Sequence, residues 1–312
     1  MKIIIEPGKS GNVIATVAIG SQYYDPWEKY ALPTWKKYCK RHELGLIVFV
    51  SDLIPQSDAF WKKPTWQTIL IGKVLKDKFK NIENVCYLDT DIVINYMAPN
   101  IFDNFDPSTI GLISLRKNLP YSYESVLRRM AYLRHNLYDN KYPLDSALYI
   151  STEDLYRHHN LPVQEDEACC GVYIYNVNLF AEALNSVFYK YDKNVQSITN
   201  GGNQTHFNYE IQSLGKVSWL DYKFQAIWVF EMAWKFPFLY DFGRNNQELI
   251  RECIEASLST NYFLHFAGHW HESEMWNIGG ILEGVGAQDK LEGFADYMKL
   301  PVTGKPVGQI KP

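Results

Sequence analysis

The sequence predicts an α/β fold in which a central β-sheet is flanked by helices. The chain has 312 residues, of which 46% are hydrophobic and 21% are charged, enough for one large domain with a full core. Over residues 1–95, buried-strand patterns alternate with helical patterns, as in right-handed crossovers onto a parallel sheet. No internal repeat or low-complexity segment interrupts the chain. We therefore expect one domain over residues 1–280 and a loosely held tail over residues 281–312.

Two buried strands open the predicted sheet. Residues 12–20 and 44–52 are rich in Val, Ile, Leu and Ala, which is typical of strands that are covered on both faces. The helix between them is predicted to begin with Asp25 as its N-cap and Pro26 at its first position. Pro33 lies inside this helix and should kink or divide it, because proline cannot donate the backbone hydrogen bond.

The next helix and strand complete the alternating pattern. Residues 66–79 carry apolar residues at helical spacing, and residues 84–94 form a third buried strand that contains Asp89 and Asp91. Sheets of this kind bind ligands beyond the carboxyl ends of their strands, and both aspartates lie toward that end. The later elements follow in a less regular order. They are predicted strands at 109–116 and 169–180 and predicted helices at 122–138, 178–193 and 245–260.

Composition and charge exclude several classes of protein. The formal net charge of −4 gives no basic excess for binding nucleic acid. No apolar run approaches the length of a membrane span, and the N-terminus reaches Glu6 and Pro7 too early for a signal peptide. The five cysteines include no CxxC pair, which fits a reducing compartment. We therefore expect a cytoplasmic protein.

Asp89 and Asp91 place two negative charges in an otherwise apolar run. Charge is costly away from water unless it is paired or binds a metal. In an extended segment, residues two apart point to the same side, so both carboxylates could face one ligand. Hard divalent ions such as Mg²⁺ and Mn²⁺ prefer oxygen ligands. The alternative is a strand end that emerges into solvent with two ordinary exposed aspartates.

A second candidate site lies in residues 261–272, where His265, His269 and His271 surround Gly268. A histidine between an apolar strand and a glycine turn could complete a site with the two carboxylates, because neutral imidazole binds transition ions. The three histidines could instead form a separate zinc site, although their spacing matches no common zinc pattern. A single histidine satisfied by loop hydrogen bonds is the simplest alternative.

Five short segments give the chain a family resemblance: IATVAIGSQYY, CYLDTDIVI, CCGVYIYN, GNQTHFN and FLHFAGHWHE. They occur as islands within residues 12–271, in the order found in glycosyltransferases of the GT-A fold. They most resemble family 8, the glycogenin and bacterial galactosyltransferase group, and the Asp-Thr-Asp and His-Phe-Ala-Gly segments are the most specific. The resemblance implies a Rossmann-like, mixed central sheet. It also implies transfer of a sugar, with retention, from a nucleotide-sugar to the hydroxyl of a glycan or other acceptor, with UDP as the expected nucleotide.

The resemblance also assigns roles to individual residues. It implies Mn²⁺, or Mg²⁺, bound by Asp89, Asp91 and His265. The positions that match the family's donor-binding segments are Ala15, Thr16 and Val17 by their backbone, Tyr23 stacked on the uracil, Lys73, Thr90, Cys170, Gly171, Gly268 and His271. For Lys73 a second interpretation stays open. On a helical wheel it shares a face with apolar residues, so its stem could pack there while its charge reaches water.

Two positions depart from the family pattern. Asn203-Gln204 stands where the family has an Asp-Gln pair beside the donor sugar, and His271 replaces a lysine that binds the diphosphate. An imidazole must be protonated to do that task, so phosphate binding would weaken as the pH rises. We expect Gln204 near the reacting carbon in a front-face displacement, with Asn203 and Lys73 beside the donor.

Three alternatives stay open. An inverting transferase would need a carboxylate base at the acceptor, for which Asp221 and Glu231 are candidates. The segment YLDTDIVI also resembles the first motif of haloacid-dehalogenase-type phosphatases, but that family follows the second aspartate with Gly-Thr, and this chain has Ile92-Val93. The chain could also be an inactive sugar-nucleotide-binding module, which the two departures from the family pattern favour.

An insert of about residues 116–166 lengthens the connection between Asp91 and Gly171. Long inserts in compact domains often act as lids or binding surfaces, so this one is a candidate acceptor-binding lid. A packed helical elaboration without a binding role is the alternative.

Overall fold

Two β-sheets form the framework of the chain. The computed structural model describes residues 1–95, 97–133, 135–136, 151–199 and 202–267. Within them, one sheet has seven strands and the other has three. The predicted α/β class, with a mixed central sheet flanked by helices, is confirmed. The strands are β1 (Lys2–Ile5), β2 (Asn12–Val17), β3 (Gly45–Phe49), β4 (Asn84–Leu88), β5 (Ile92–Ile94), β6 (Ile110–Ser114), β7 (Ala168–Asn176), β8 (Val217–Trp219), β9 (Ala226–Ile227) and β10 (Phe263–His265).

The large sheet has the strand order β1-β3-β2-β4-β7-β6-β8, and the small sheet has the order β5-β10-β9. In the large sheet, β2 pairs in parallel with both β3 and β4, as the predicted crossovers require. β7 runs antiparallel to its neighbours β4 and β6, and β1 runs antiparallel to β3 at the edge. The end of β4 therefore lies next to β7, where the strand direction changes.

Most of the predicted helices are present. The α-helices of the described residues are α1 (Ser21–Pro26), α2 (Leu32–Arg41), α3 (Pro64–Gln67), α4 (Ile71–Lys78), α5 (Tyr123–Leu133), α6 (Thr152–His158), α7 (Val177–Lys190), α8 (Val195–Thr199), α9 (Gln204–Ser213), α10 (Trp228–Lys235) and α11 (Gln247–Thr260). The predictions that became α5, α7 and α11 are confirmed. The predicted helix at 66–79 corresponds to α3 and α4 joined by one 3₁₀ turn. Helix α10 was not predicted, because its first six residues are all buried and five of them are apolar, so no polar face marks a surface helix.

The first helix begins earlier than the sequence predicted. It starts directly after Gly20, whose φ of 90° turns the chain out of β2. The prediction of Asp25 as N-cap and Pro26 as the first helical residue is therefore wrong, and Pro26 ends α1. A π-helical turn over Trp27–Ala31 joins α1 to α2, in which Pro33 is the second residue. The predicted division of the helix near Pro33 is confirmed, since proline is tolerated in a first helical turn.

The predicted strand over residues 84–94 is divided in two. β4 ends at Leu88 in the large sheet, and β5 begins at Ile92 in the small sheet. Between them the chain turns, with the Ile92 N–H donating to the Asp89 carbonyl at 3.3 Å. The prediction of one extended segment is wrong because its halves have different partners. β4 pairs with β2 and β7, whereas β5 pairs with β10.

Hydrophobic clusters cover both faces of the large sheet. Alternate side chains of β2, β4 and β7 enter two clusters, one shared with α4 and α7 and the other with α2. A third cluster joins the small sheet to α5, α10 and α11. The other face of the small sheet, with Ile92, Ile94 and Phe263, packs in the cluster that the large sheet shares with α2. In the part of the chain that the structure describes, no helix is long and apolar enough to cross a membrane.

The predicted insert, residues 116–166, is partly described. It contains α5 and α6, and α5 contributes buried side chains to the cluster beneath the small sheet. A packed helical elaboration therefore describes this part of the insert, and an acceptor-binding role for it stays a prediction. The proposed domain limits also stay predictions, and the tail at 281–312 lies outside the described residues.

Candidate metal and donor site

Asp89, Asp91 and His265, here called the triad, meet where the two sheets approach each other. Asp89 follows β4, Asp91 precedes β5, and His265 ends β10. One ligand atom from each residue lies within 4.8 Å of the others. His265 Nε2 is 3.1 Å from Asp91 Oδ1 and 3.6 Å from Asp89 Oδ2. Among the described residues, the triad is the one cluster of at least three His, Cys, Asp or Glu side chains that could hold a metal ion.

Backbone pairing fixes the triad residues relative to one another. The Asp89 N–H donates to the Gly171 carbonyl at 2.9 Å, which ties Asp89 to β7. The Phe266 N–H donates to the Asp91 carbonyl at 3.0 Å, and β10 runs antiparallel to β5 beside it. The two carboxylates therefore face one point because of a turn and two sheet contacts. The predicted cause, alternation along a single strand, is wrong.

Gly171 in β7 keeps the space beside the triad open. A Cβ at this position would lie 2.4 Å from His265 Cε1 and 2.9 Å from Asp89 Oδ2. Both separations are shorter than van der Waals contact. Any side chain at this position would therefore displace two of the three ligand residues. The glycine at this position has a physical cause, because the imidazole and a carboxylate occupy the space that a methyl group would need.

The two carboxylates of the triad face solvent, whereas the imidazole does not. The Asp89 and Asp91 side chains are 39% and 35% exposed, and that of His265 is 2% exposed. The Asp89 side chain is only partly exposed, so desolvation of its carboxyl group and the neighbouring Asp91 carboxylate raise the pKa of Asp89 to about 6, and His265 opposes that rise. The Tyr87 hydroxyl donates to Asp89 Oδ1 at 2.6 Å and holds the carboxylate in place. A cation can reach the carboxylates from solvent while the protein fixes the ring behind them.

Gln225 sets the orientation of the His265 ring. Its amide oxygen accepts hydrogen bonds from His265 Nδ1 at 3.2 Å and from the Val172 and Gly171 N–H groups at 3.1 and 3.3 Å. Its NH₂ group donates to the Cys169 carbonyl at 3.2 Å. With the Nδ1 proton directed at Gln225, Nε2 faces the carboxylates. Sequence reasoning missed Gln225, because only the pairing of β9 with β10 brings it to the ring.

The chemistry of the triad fits a divalent cation. Burial alone would lower the pKa of His265, but the Asp91 carboxylate and the contacts with Asp91 and Cys169 raise it well above its usual range. Without a metal, the imidazole is therefore a counter-ion to the carboxylates. Carboxylate oxygens together with an imidazole nitrogen form a donor set that Mn²⁺ accepts, and Mg²⁺ accepts the carboxylates. The residues present thus suit the predicted ion.

The end of β2 is predicted to line the nucleotide, and its residues are buried: Ala15 and Thr16 are 0% exposed and Val17 is 8% exposed. β2 pairs with β4 as far as Ala15, whereas its pairing with β3 continues to Val17. The β4-facing edge of Thr16 and Val17 has no strand partner in the described chain. The Tyr23 side chain is 46% exposed and free to stack, and Thr90 lies half-buried in the turn between the aspartates. The nucleotide-binding roles of these five positions stay predictions.

Lys73 lies in an ion-pair cluster on the surface of α4. Its ammonium group is 2.7 Å from Asp77 and 3.4 Å from Glu182 of α7. No hydrogen bond or ion pair joins Lys73 to the triad within the described ranges. This arrangement agrees with the second of the two interpretations, a lysine whose charge reaches the surface. A role for Lys73 at the donor stays a prediction.

Gln204 and Cys170 meet at the start of α9. Cys170, one residue before Gly171, has its Sγ 3.9 Å from the Gln204 carbonyl oxygen. Gln204 therefore lies beside the strand that borders the triad. Asn203 is buried at the N-cap of α9, and the Gln204 side-chain NH₂ donates to Glu167 Oε1 at 2.6 Å. Sequence reasoning missed Glu167, which precedes β7 and belongs to none of the recognised segments.

The two carboxylates considered as bases for an inverting reaction have structural partners. Glu231 is fully buried and accepts hydrogen bonds from Ser257 Oγ at 2.9 Å and Asn261 Nδ2 at 3.1 Å. Asp221 accepts a backbone hydrogen bond at 3.0 Å that caps the 3₁₀ turn after it. A fully buried carboxylate cannot reach an acceptor sugar, so Glu231 does not fit the role of base. Asp221 is exposed, and such a role for it stays a prediction.

Three positions of the histidine-rich segment lie outside the described residues: Gly268, His269 and His271. The role of Gly268 beside the donor, the role of His271 at the diphosphate and the separate zinc site therefore stay predictions. His265 is described, and it contacts the two carboxylates.

Comparison with known proteins gives structural likenesses at low sequence identity. No protein-family model and no curated protein sequence matches the chain. A glycosyltransferase involved in the glycosylation of the major capsid of PBCV-1 is 11% identical, with a TM-score of 0.47 over 86% of this chain and 100% of that one. The bifunctional glycosyltransferase WbbM is 10% identical, with a TM-score of 0.47 over 86% of this chain, which spans only 47% of WbbM.

The galactosyltransferase LgtC, solved with donor and acceptor sugar analogues, gives a further likeness. It is 12% identical, with a TM-score of 0.45 over 89% of this chain and 99% of that one. TM-scores below 0.5 do not assign an activity. Membership of family 8 is not established by these likenesses.

Proposed function

We propose that the protein is a metal-dependent glycosyltransferase that moves a sugar from a UDP-sugar to an acceptor hydroxyl with retention. The observation that carries this proposal is the triad. Two solvent-facing carboxylates and a buried imidazole oriented by Gln225 converge beside the space that Gly171 leaves open. The triad follows the carboxyl end of β4, where α/β sheets bind their ligands. The sequence resemblance to family 8 supports the same function.

The triad would hold the cation, Mn²⁺ or Mg²⁺, and the diphosphate of the donor would bind beside it. When bound, such an ion neutralises negative charge on a leaving diphosphate. Tyr87 fixes the Asp89 carboxylate, and Gln225 fixes the His265 ring, so the ligand groups are already oriented before the ion arrives. This orientation reduces the conformational entropy that binding would otherwise cost.

The nucleotide and the sugar would bind through groups on β2 and α9. The segment of Thr16 and Val17, beyond the last residue of β2 that pairs with β4, would line the nucleotide, and the exposed Tyr23 ring would stack on the base. Gln204 would lie near the reacting carbon. There the bond from the sugar carbon to the diphosphate breaks, the acceptor oxygen bonds to the same face, and the acceptor proton moves to the leaving phosphate oxygen.

Nucleotide release tests the proposed function. The protein is incubated with UDP-glucose, UDP-galactose, UDP-xylose and GDP-mannose, with and without Mn²⁺, and slow hydrolysis is followed by the nucleotide formed. Metal-dependent release from one donor is expected, and it should be absent in Asp91→Asn. The control is Asp77→Asn, which changes an exposed carboxylate on α4 and should keep the activity.

Three outcomes would overturn the proposed function. The first is that no donor is hydrolysed and no nucleotide binds in the presence of Mn²⁺. Release of phosphate from p-nitrophenyl phosphate would favour the phosphatase alternative. Tight UDP-sugar binding without turnover in a panel of acceptor sugars would favour the inactive binding module.

Product stereochemistry tests the front-face step separately. The anomeric configuration of the first-formed product is read by proton NMR. Retention is expected. An inverted linkage would overturn the front-face displacement and would favour an inverting reaction with Asp221 as the base.

A further inference from the structure

Glu167 and Gln204 form a side-chain pair at the start of α9. The Gln204 NH₂ group donates to Glu167 Oε1 at 2.6 Å, and Glu167 is 3% exposed. Because an ionised carboxylate can only accept, this contact fixes the Gln204 amide with its NH₂ group toward Glu167. The amide oxygen is then on the opposite branch of the planar group. No other residue of the described chain hydrogen-bonds to that oxygen.

The surrounding structure fixes Glu167 itself. Its carbonyl accepts from the Leu115 N–H at 2.8 Å, and its N–H donates to Asp166 Oδ1 at 2.8 Å. Burial raises the pKa of Glu167, and the contacts with Gln204 and Arg116 oppose that rise. Arg116 Nη2 lies 3.5 Å from Glu167 Oε2. A guanidinium at this distance favours the charged carboxylate, so Glu167 is a fixed acceptor.

The orientation of the Gln204 amide decides which end of its dipole faces the sugar. Departure of the diphosphate leaves positive charge on the reacting carbon and on the ring oxygen of the sugar. An amide oxygen carries partial negative charge and stabilises that state, whereas an NH₂ group in the same place would oppose it. Asn203 next to it is neutral and supplies no compensating charge.

We propose that Glu167 is a positioning residue that holds Gln204 with its amide oxygen toward the donor sugar. This role rests on the proposed glycosyltransferase function and adds to it a residue outside all five family-like segments. Glu167 acts through Gln204 and does not contact the sugar. The Asn203-Gln204 segment has no carboxylate of its own. The carboxylate of Glu167, which hydrogen-bonds to Gln204, instead orients the dipole of the Gln204 amide.

Exchange of the two side chains tests this role. Four proteins are compared: the wild type, Glu167→Gln, Gln204→Glu and the double exchange. In Glu167→Gln an amide faces an amide, so Gln204 is no longer held in one orientation. In Gln204→Glu two carboxylates face each other. In the double exchange an amide at position 167 again donates to an oxygen at position 204, whose second oxygen is presented to the sugar.

The expected results separate turnover from binding. Each single substitution should lower kcat for nucleotide release from UDP-glucose or UDP-galactose at least about tenfold, with KM changed less than about threefold. The double exchange should have a kcat at least about fivefold higher than that of the single variants. Mn²⁺-dependent binding of UDP, which carries no sugar, should be equal in all four proteins by calorimetry. Glu165→Gln, which alters an exposed carboxylate paired with Lys117 at 2.5 Å, is the matched control and should behave as the wild type.

Each contrary outcome identifies what has failed. Wild-type kcat in Glu167→Gln would overturn the positioning role while the proposed function stands. A double exchange no more active than the single variants, with a lowered melting temperature in all three, would show that Glu167 is structural only. A wild-type protein that neither binds UDP with Mn²⁺ nor releases it from a donor would overturn the proposed function, and the role of Glu167 with it.

Discussion

Two buried histidines, His265 in the triad and His206 in α9, have almost equal exposure and opposite electrostatics. They are 2% and 3% exposed. Burial alone would lower the pKa of His265, but the Asp91 carboxylate raises it well above its usual range. Burial lowers the pKa of His206 to about 4, and the neighbouring His159 adds to that effect. Equal burial is therefore accompanied by opposite shifts of the two pKa values.

The neighbours of the two rings explain the difference. The His206 ring has its centroid 4.9 Å from that of Tyr191, 5.3 Å from that of His159 and 5.8 Å from that of Trp66. Among these rings a neutral imidazole packs as one more flat surface. His265 instead has carboxylates at one ring nitrogen and the Gln225 amide at the other. The groups at the two nitrogens, and not the burial of the ring, distinguish a candidate ligand from a core residue.

Asp91→Asn should remove the carboxylate that raises the pKa of His265 and that belongs to the candidate metal site. The triad loses a charged oxygen ligand, so we expect its affinity for Mn²⁺ to fall at least about 100-fold, on the order of 3 kcal/mol. Calorimetric titration with Mn²⁺ measures the loss. Asp77→Asn, an exposed ion-pair partner of Lys73, is the control and should bind as the wild type does. Equal affinity in Asp91→Asn and the wild type would contradict a metal role for the triad.

Gly171→Ala should crowd the His265 region without altering any ligand residue. The added methyl group would overlap the His265 ring and the Asp89 carboxylate. We expect Mn²⁺ affinity to fall about 10-fold to 100-fold and the free energy of unfolding to fall by about 1–3 kcal/mol. Metal titration and urea unfolding measure these changes. Gly202→Ala, whose Cβ would meet only the Thr199 carbonyl at 3.6 Å, is the control. Unchanged Mn²⁺ affinity in Gly171→Ala would show that the triad tolerates the displacement.

Gln225→Leu should loosen the His265 ring while leaving the carboxylates in place. Without an acceptor at Nδ1 the ring is no longer held with Nε2 toward the metal, and we expect about tenfold weaker Mn²⁺ binding. Gln225→Glu keeps an oxygen at that position and should lose less affinity. The same titration compares the two variants. Equal losses would mean that Gln225 does not act through the orientation of the ring.

His206→Phe should change the properties of the protein least near neutral pH. In acid it should reduce the loss of stability that protonation of His206 causes. The folded-state pKa of about 4 lies below the ordinary value of 6.5, so the unfolded chain binds the proton first as the pH falls. Stability due to His206 is therefore complete above about pH 6.5 and lost toward pH 4, by about 2 kcal/mol at pH 5. Urea unfolding at about pH 7.5 and pH 5 should show a smaller loss in His206→Phe. The control is His158→Gln, at an exposed histidine that contacts His159 and not His206. A wild-type pH dependence in His206→Phe would contradict a lowered pKa of His206.

Local patterns predicted the parts of the fold that depend on neighbours in the chain. Strands β2 and β3 and helices α7 and α11 follow from hydrophobic periodicity, which a short window of sequence carries. The triad residues were also identified, because each belongs to a compact segment. The turn at Asp89 could not be predicted. Residues 84–94 are apolar on both sides of Asp89-Thr90-Asp91, and which sheet each half joins depends on partners far along the chain.

Gln225 and Glu167 were missed for a related reason. Gln225 reaches His265 only because β9 lies beside β10, and Glu167 reaches Gln204 only because the start of β7 packs against α9. Neither residue has a spacing to another polar residue that indicates a site. Orienting residues of this kind come from tertiary contacts, whereas ligand residues more often cluster in short segments.

The triad draws its members from the ends of strands in both sheets. Asp89 follows β4 of the large sheet. Asp91 precedes β5 of the small sheet, and His265 is the last residue of β10 in the same small sheet. An ion held by all three would be a reversible cross-link between two sheets that already share a hydrophobic cluster. At a concentration 1,000 times its Kd, such an ion would add about 4 kcal/mol to the stability of the joined state. The stability of the junction between the two sheets would then depend on the concentration of that ion in the surrounding solution.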